Sequence, residues 1–518
     1  MPVINDLKKI EEIAGTFNVI PIVKDISGDM ETPVSIFSAF SGEQYSFFFE
    51  SAEGAGKWGR FSFICINPYL TIELSGKNLI IKKFNKNGLV SWSKTMETPA
   101  QDIFSFIKEL LSGFRIYKKD LPDSFTGGLF GYLGYEVNSL IEKLPPVKND
   151  ITKVPDLFFM LPRNIIIYDS LEQKILVISM IILNNNGDNG NPAFDIKTDY
   201  DEALIGIDNI ILTIRNKNSK CPPYTSVATQ KDRITAVSVY DEVGFDRYKE
   251  NVLKAKEYIR NGDIFQVQVS RRKKVLNPPA PFLFYRALRL VNPSPYMFYL
   301  KIDDFVIAGS SPENLVKLSD NIIEIRPIAG TIKRGNNMEE DELLATKLLN
   351  DPKERAEHVM LVDLGRNDIG RVSKNGSVKV NKLMYIERYS HVQHIVTSII
   401  SEINENYDGF DLIKATFPAG TVSGAPKIRA MEIINELEDS KRGVYAGGVG
   451  YFSFLNNNKC DKMEFCITIR TALFKNDACY IQAAGGIVYD STPENEFLET
   501  ENKLKHLIAA MDLAKELD

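Results

Sequence analysis

Two pairs of glutamates occur at a spacing that could hold a divalent cation. The first pair, Glu354 and Glu357, follows Pro352 closely. The second pair, Glu496 and Glu499, follows Pro493 closely. Each pair is therefore predicted in the first turns of a helix, on one helical face. Four carboxylates from two helix starts could converge on Mg²⁺, which prefers oxygen ligands and keeps several waters. Acidic residues also favour helix N-termini on their own, and for either pair alone this structural role is the favoured interpretation.

Three further side chains could act on an anionic substrate. Arg470 lies in a predicted strand among apolar residues, where an unpaired charge is costly, so it needs a protein carboxylate or a substrate carboxylate. Lys503 follows Glu499 by one helical turn, and this spacing by itself favours an ordinary ion pair. His394 lies in a strand-like run and could be a base or a structural histidine.

Glycine clusters indicate places where backbones approach closely. The segments 447–450 and 483–486 have strand-like surroundings, so their glycines predict either tight strand packing or an anion held by exposed N–H groups. The cluster 127–134 does not fit the dinucleotide fingerprint, and no phosphate-binding loop of the GxxxxGK[ST] type occurs. The segment 421–427 is not a serine nucleophile elbow.

The elements that must position these residues follow from hydrophobic spacing. Predicted strands are 45–49, 61–66, 164–168, 175–183, 264–270, 296–300, 305–308, 322–326, 445–452, 465–473 and 480–488. Predicted helices are 104–111, 201–214, 245–260, 339–350, 351–364 and 493–517. The strands cluster without strict alternation with helices, which predicts an α+β fold with antiparallel sheets.

The chain of 518 residues is predicted to have two domains. Residues 1–183 form a mixed N-terminal domain, and residues 241–518 form a C-terminal domain. Residues 184–240 are predicted as a loop, a helix and a linker, since 216–241 is polar and contains Pro222-Pro223.

Composition excludes several classes of protein. Lys plus Arg is 62 and Asp plus Glu is 68, a net charge of −6 that argues against a nucleic-acid partner. The longest apolar stretch, 175–183, is too short to span a membrane. Five scattered cysteines without a CxxC motif predict reduced thiols and a cytoplasmic protein. With only four histidines, a zinc or copper site is not expected, so any metal would be bound by carboxylates.

Four long segments resemble motifs of the chorismate-utilising enzymes. They are Arg326–Thr331 (RPIAGT), Glu357–Asp368 (EHVMLVDLGRND), Phe417–Lys427 (FPAGTVSGAPK) and the stretch from Ala484-Gly485-Gly486 to Lys503. The match covers residue 244 to the C-terminus, and Phe49-Glu50-Ser51 with 128–134 extends it to the first half. The resemblance implies a two-domain antiparallel β-sandwich flanked by helices.

Two positions separate the branches of this family. Isochorismate- and salicylate-forming members carry a water-activating lysine where this chain has Gln266, which cannot take a proton from water. Aminodeoxychorismate-forming members carry a lysine nucleophile where this chain has Ala329. Both differences favour the branch in which ammonia attacks chorismate directly to give anthranilate. The alternatives are an aminodeoxychorismate-forming enzyme and a non-catalytic tryptophan-binding protein of the same fold.

The resemblance also implies roles for individual residues. Glu357 and Glu499 would be direct Mg²⁺ ligands, with Glu354 and Glu496 acting through waters. His394 matches the catalytic histidine, and Glu313 is a candidate proton donor to the leaving C4 hydroxyl. Thr421 is implied to belong to the catalytic residues. The residues implied to bind chorismate are Gly330, Thr331, Tyr445, Arg470, Ala484, Gly485, Gly486 and Lys503.

A tryptophan-inhibition site and a partner subunit are implied as well. The inhibitor-binding residues would be Glu50, Ser51, Pro295, Tyr296, Met297, Val449 and Tyr451. Val449 and Tyr451 are expected on the same strand as Tyr445, which would link the two sites, and Ser51→Phe is expected to weaken inhibition. No cysteine lies in a Gly-x-Cys-x-Gly turn, so ammonia from glutamine would have to come from a separate amidotransferase in a hetero-oligomer.

Overall fold

A computed structural model describes most of the chain. The described residues are 6–50, 59–98, 102–119, 127–146, 149–183, 195–216, 237–389 and 392–516. Ser51, most of the predicted linker and the last residue of the predicted C-terminal helix, Leu517, lie outside these ranges.

Helices lie at intervals along the whole described chain. They are α1 Leu7–Ile13, α2 Pro33–Ser38, α3 Ile103–Ser112, α4 Asn138–Ile141, α5 Ile196–Arg215, α6 Phe245–Arg260, α7 Pro281–Val291, α8 Met338–Asn350, α9 Pro352–Gly370, α10 Gly409–Thr416, α11 Lys427–Leu437 and α12 Pro493–Glu516. Local signals set their ends: Asp351 caps α9 through the N–H groups of Lys353 and Glu354. Among the described residues, none of the helices combines the length and apolar character that a membrane crossing requires.

Strands make up the centre of the molecule. They are β1 Val19–Ser27, β2 Tyr45–Glu50, β3 Phe61–Ser75, β4 Asn78–Phe84, β5 Val90–Glu97, β6 Gly128–Leu133, β7 Leu157–Asp169, β8 Lys174–Ile182, β9 Ser238–Asp241, β10 Gln266–Leu276, β11 Tyr296–Ile302, β12 Phe305–Ser311, β13 Asn314–Ser319, β14 Ile322–Ile325, β15 Ile328–Lys333, β16 Lys379–Arg388, β17 Val392–Glu402, β18 Gly424–Ala425, β19 Gly448–Ser453, β20 Met463–Ile467, β21 Thr471–Lys475 and β22 Ala478–Ile487.

The strands form one hydrogen-bonded antiparallel network with helices packed against it. The predicted α+β fold class is therefore confirmed. Strands from the two ends of the sequence pair directly, since β2 pairs with β11 and β6 pairs with β19. These pairings join the two predicted domains within one sheet, so the sheet itself marks no boundary between them. The boundaries of the two domains stay a prediction.

Continuous apolar runs place core on both faces of the sheet. Phe47 and Phe48 are neighbours on β2, and both are fully buried. They belong to two different core clusters because successive side chains of a strand point to opposite faces. This explains why the middle of β2, residues 47–49, is three phenylalanines in a row and does not alternate with polar residues.

Two predicted positions are wrong. The predicted strand 465–473 is interrupted, and Arg470 lies in the connection between β20 and β21 with a φ of 51°. The chain must turn there because β20 pairs with β13 and β19, whereas β21 pairs with β12 and β22. Tyr445 lies outside β19, since that strand begins only at Gly448, after Ala446 with a φ of 63°.

Candidate active site

The two glutamate pairs lie at the N-terminal ends of α9 and α12 and interact electrostatically. Burial raises the pKa of Glu354, and the negative charges of Glu357 and Glu499 raise it further. Burial also raises the pKa of Glu496, with a further contribution from Glu499. The fold therefore brings together carboxylates from helices that are more than 120 residues apart in sequence.

This group of oxygen donors fits Mg²⁺. Glu496 Oε2 is buried without a hydrogen-bond partner, which leaves a carboxylate oxygen available to a cation or to its waters. No three of the described His, Cys, Asp or Glu side chains already form a closed metal cluster. Mg²⁺ is commonly held by one or two carboxylates together with waters and substrate oxygens, so a closed cluster is not required.

Neighbouring residues hold these carboxylates in place. Gln266 Nε2 donates to Glu357 Oε1 at 2.8 Å, a contact that sequence reasoning missed. A Cβ on Gly485 would lie 2.7 Å from both Glu496 Oε2 and Tyr248 Oη, so a larger residue there would displace one of these side chains. Tyr248 was also not predicted, because nothing in α6 distinguishes it from an ordinary core tyrosine.

His394 lies on β17 directly opposite Thr331 on β15. Its Nδ1 is 3.0 Å from both the Gly330 carbonyl oxygen and Thr331 Oγ1. A carbonyl can only accept, so we assign the proton to Nδ1 and leave Nε2 as an acceptor. Nε2 is buried without a partner, and burial, with the charge of Arg470, lowers the pKa of the ring to about 4.

Glu313 is fully buried next to Thr421, and both line a small cavity of about 40 Å³. Burial raises the pKa of Glu313 to about 8, although Thr421, the backbone of Ile328 and the charge of Arg470 oppose this rise. At neutral pH the carboxyl is therefore mostly protonated and able to donate.

The predicted cations also lie at this site. Arg470 Nη1 donates to Asn292 Oδ1 at 3.5 Å, and its charge acts on both His394 and Glu313. Lys503 pairs with Glu499 at 2.7 Å, as its spacing favours, and also donates to the Ala484 carbonyl oxygen at 2.8 Å. Lys503 thus joins α12 to the glycine-rich end of β22.

The other predicted substrate residues surround these groups. Ala484 and Gly485 on β22 pair with β10, and Gly486 lies opposite Gln268. Tyr445 is buried near the guanidinium of Arg442, and burial raises the pKa of its phenol.

Sequence reasoning did not predict the buried ion pair between Arg442 and Glu438, which lies near Tyr445. Arg442 donates to Glu438 at 2.6 Å and to the carbonyl oxygens of Val422 and Gln268. The i,i+4 spacing of Glu438 and Arg442 was the available signal, but it is equally typical of an exposed pair. In the structure it joins the loop after α11 to β10.

A second, larger cavity of about 690 Å³ adjoins this site. Six of the seven predicted inhibitor-binding residues line it, namely Glu50, Pro295, Tyr296, Met297, Val449 and Tyr451. Ser51 lies outside the described residues. Further lining residues that were not predicted include Phe49, Phe130, Arg326, Arg334, Glu387, Tyr389 and Glu464.

Glu50 provides a buried carboxylate at this cavity. It accepts hydrogen bonds from Tyr285 Oη at 2.6 Å and from Arg289 Nε at 2.9 Å. Burial raises its pKa, and the charge of Arg289 opposes that rise. The cavity thus combines aromatic walls with a carboxylate, which suits a ligand that has an apolar body and a positive charge.

Comparisons with known proteins place this geometry in context. The family model described as chorismate binding enzyme matches residues 45–509. Anthranilate synthase component 1 from Acetivibrio thermocellus is 44% identical over 513 residues, 99% of each chain. The protein of the same name from Aquifex aeolicus is 42% identical over 511 residues, 98% of each chain.

Solved structures give the same picture. Anthranilate synthase component I from Streptococcus pneumoniae superposes with a TM-score of 0.72 at 33% identity, covering 93% of this chain and 98% of that one. The menaquinone-specific isochorismate synthase from Escherichia coli has a TM-score of 0.66 over 98% of both chains. Its identity of 17% supports likeness of the fold alone.

Proposed function

This chain belongs to the family of chorismate-binding enzymes, and on that premise we propose that it forms anthranilate as the large subunit of an anthranilate synthase. The reaction converts chorismate and ammonia into anthranilate, pyruvate and water. The observation that carries the proposal is that His394 and Glu313 are tied to the glutamate pairs by short contacts. His394 Nδ1 is held by the carbonyl oxygen of Gly330, and Glu354 Oε2 lies 3.0 Å from the position of a Cβ on that glycine. The charge of Lys503, which pairs with Glu499, acts on Glu313.

Acid and base roles follow from these protonation states. Ammonia attacks C2 of chorismate, and Glu313 donates a proton to the C4 hydroxyl, which leaves as water. The added ammonium group then loses one proton, which restores the proton of Glu313 through solvent. His394 Nε2 accepts the proton lost from C2, the bond from C3 to the enolpyruvyl oxygen breaks, and the released enolate takes up a proton to become pyruvate. Aromaticity of the product drives this last step.

Glu357 and Glu499 would hold Mg²⁺, with Glu354 and Glu496 contacting its waters. When bound there, Mg²⁺ acts as a Lewis acid on the ring carboxylate of chorismate and makes C2 more electrophilic. Gln266 orients Glu357, and Lys503 orients Glu499. Arg470 and Tyr445 bind the enolpyruvyl carboxylate.

We propose that ammonia attacks C2 of chorismate because positions 329 and 266 lack the lysines that other branches of the family carry there. Residue 329 is alanine, buried on β15 opposite Ile395, so it supplies no amine for a covalent intermediate at C4. Residue 266 is glutamine, fully buried, so it supplies no base to activate water. Ammonia is already a nucleophile and needs neither.

The test is incubation of the purified chain with chorismate, Mg²⁺ and an ammonium salt. We expect anthranilate fluorescence to increase with time and the increase to stop when EDTA is added. A 4-amino-4-deoxy product by mass spectrometry would identify the aminodeoxychorismate route, and tryptophan binding without turnover would identify a regulatory protein. Either result would refute the proposal.

We also propose tryptophan as a feedback inhibitor in the large cavity. Its indole would contact the aromatic walls and its ammonium would pair with Glu50. Tryptophan should inhibit the wild-type chain, whereas Glu50→Ala should bind it at least about tenfold more weakly, since a lost charged hydrogen bond costs about 1.5–3 kcal/mol. Equal inhibition of both proteins would contradict this placement.

A glutamine amidotransferase subunit would supply ammonia in the cytoplasm. The name component 1, borne by the relatives, supports a second component. The isolated chain should use ammonium salts but not glutamine as nitrogen donor. Release of glutamate from glutamine by the pure chain would contradict this assignment.

A further inference from the structure

The large cavity and the candidate active site share part of their walls. Of the described residues, Arg326 alone lines both the cavity of about 690 Å³ and the cavity of about 40 Å³ next to Glu313 and Thr421. Arg326 lies two residues before β15, whose Ile328 backbone acts on Glu313 and whose Gly330 carbonyl holds His394 Nδ1. A shift of Arg326 therefore acts on the segment that contacts both catalytic groups.

Glu387 on β16 is the central partner of Arg326. One carboxylate oxygen, Oε1, accepts from Arg326 Nη2, and the other, Oε2, accepts from Tyr389 Oη at 2.9 Å. Tyr385 Oη also accepts from Arg326 Nη2, at 3.1 Å. Arg326, Glu387 and Tyr389, hereafter the triad, all line the large cavity.

The triad reaches His394 from a second side. The ring of Tyr389 meets the ring of His394 edge to face, with 5.5 Å between centroids and 67° between planes. Glu387 is also the register partner of His394 across β16 and β17. His394 is therefore held between Thr331 on β15 and the triad-bearing strand on the other side.

We propose that the triad is the coupling element through which a ligand in the large cavity alters the positions of His394 and Glu313. The inference rests on the proposed function, in which that ligand is tryptophan. A ligand that displaces the Glu387 carboxylate loosens Arg326 and Tyr389 together, because the two share this one acceptor. The triad residues are positioning residues, since they act on the reacting groups through β15 and through the Tyr389 ring.

The experiment measures the coupling between tryptophan and chorismate directly. Calorimetry gives the Kd of L-tryptophan without chorismate and then with saturating chorismate and Mg²⁺, in the absence of any ammonia source. For the wild-type chain we expect the Kd to rise at least about tenfold, within the usual range of allosteric coupling. For Glu387→Gln and for Tyr389→Phe we expect the ratio of the two Kd values to stay below about threefold, whatever the Kd of each variant in the absence of chorismate.

Glu402→Gln is the matched control. It makes the same substitution on β17 but removes only an exposed ion pair with Lys374, so it should keep the full coupling. Both triad variants with wild-type coupling would overturn the inference and leave the proposed function intact. Loss of tryptophan binding by the free variants would also overturn it, by making the triad part of the binding site.

A wild-type chain that binds no tryptophan would overturn both the coupling and the proposed regulation. Anthranilate formation by that same protein would still support the proposed reaction. The two failures are therefore distinguishable.

Discussion

At the scale of single residues, burial is the main cause that prepares an acid and a base, and the charge of Arg470 adds to its effect on His394. Removal from water favours the neutral form of any side chain, so it raises the pKa of Glu313 to about 8 and lowers that of His394 to about 4. Near pH 7 the carboxyl therefore holds its proton while the imidazole is free to accept one. One physical cause gives the two residues complementary roles.

Glu313→Gln removes the proton donor to the leaving hydroxyl. We expect kcat to fall by about 10²–10⁴-fold, the usual contribution of a general acid. Because the protonated carboxyl is the active form, the wild-type rate should fall as the pH rises through about 8. Steady-state kinetics with ammonia held in excess test both points.

Glu432→Gln is the control for this variant, since it removes only a half-exposed ion pair with Arg429 on α11. A wild-type rate that stays constant above pH 9, or a Gln variant with unchanged kcat, would contradict the role of Glu313.

Glu357→Gln should weaken Mg²⁺ binding. A neutral amide is a poorer ligand, and loss of even an indirect metal contact costs about 10–100-fold in affinity. Calorimetric titration with Mg²⁺ in the presence of chorismate and without ammonia measures this directly. Glu494→Gln, exposed in the first turn of α12, should bind Mg²⁺ normally, and an unchanged affinity of Glu357→Gln would show that the site lies elsewhere.

At the scale of elements, glycines decide how closely strands approach. A Cβ on Gly450 of β19 would lie 2.0 Å from the Glu464 carbonyl oxygen on β20, which is main chain and cannot move aside. The glycines of β19 therefore serve tight strand packing, one of the two interpretations of that cluster. Gly485 on β22 differs, because its missing Cβ leaves room for the Glu496 carboxylate, and an anion held by the N–H groups of its cluster stays a prediction.

Gly450→Ala should destabilise the chain by about 3 kcal/mol or more, the upper range for overpacking. Gly206→Ala on α5 is the control, because nothing lies within 4 Å of its added Cβ. That substitution should stabilise by about 0.5–1 kcal/mol, since glycine is unfavourable within a helix. Denaturant unfolding measures both, and equal stabilities of the two variants would contradict the packing argument.

At the scale of the whole molecule, the two ends of the sequence complete one sheet. β11 carries predicted inhibitor-binding residues and pairs with β2, which carries Glu50. β19 carries two more and pairs with β6. The proposed regulatory cavity therefore needs both regions, whereas the carboxylates of the active site all come from residues after 241.

A fragment of residues 241–518 should fail to fold on its own. Removal of β2 and β6 leaves unpaired edges on β11 and β19, and exposed apolar edges favour aggregation. We expect insoluble expression of the fragment and rescue by coexpression of residues 1–240. A soluble fragment with cooperative unfolding would show instead that the two predicted domains are independent.

Local patterns and motifs were enough to predict the fold class, the family and six of the twelve described helices. Helical spacing, proline and capping residues act over a few neighbours, so α6 was predicted at its observed bounds. Their spacing identified the glutamates as candidates, and the family resemblance identified His394 and Glu313. Their roles stay predictions that the experiments above test.

Only the tertiary structure decided how these residues are held and what charge they carry. A pKa depends on burial, and burial depends on elements far apart in sequence, so the sequence offered Glu313 and His394 as candidates but could not give the protonation state of either. The turn at Arg470 follows from strand partners that no local pattern specifies. The contacts of Gln266 with Glu357, and of Glu387 with Arg326 and Tyr389, likewise exist only because the sheet brings distant strands and helices together.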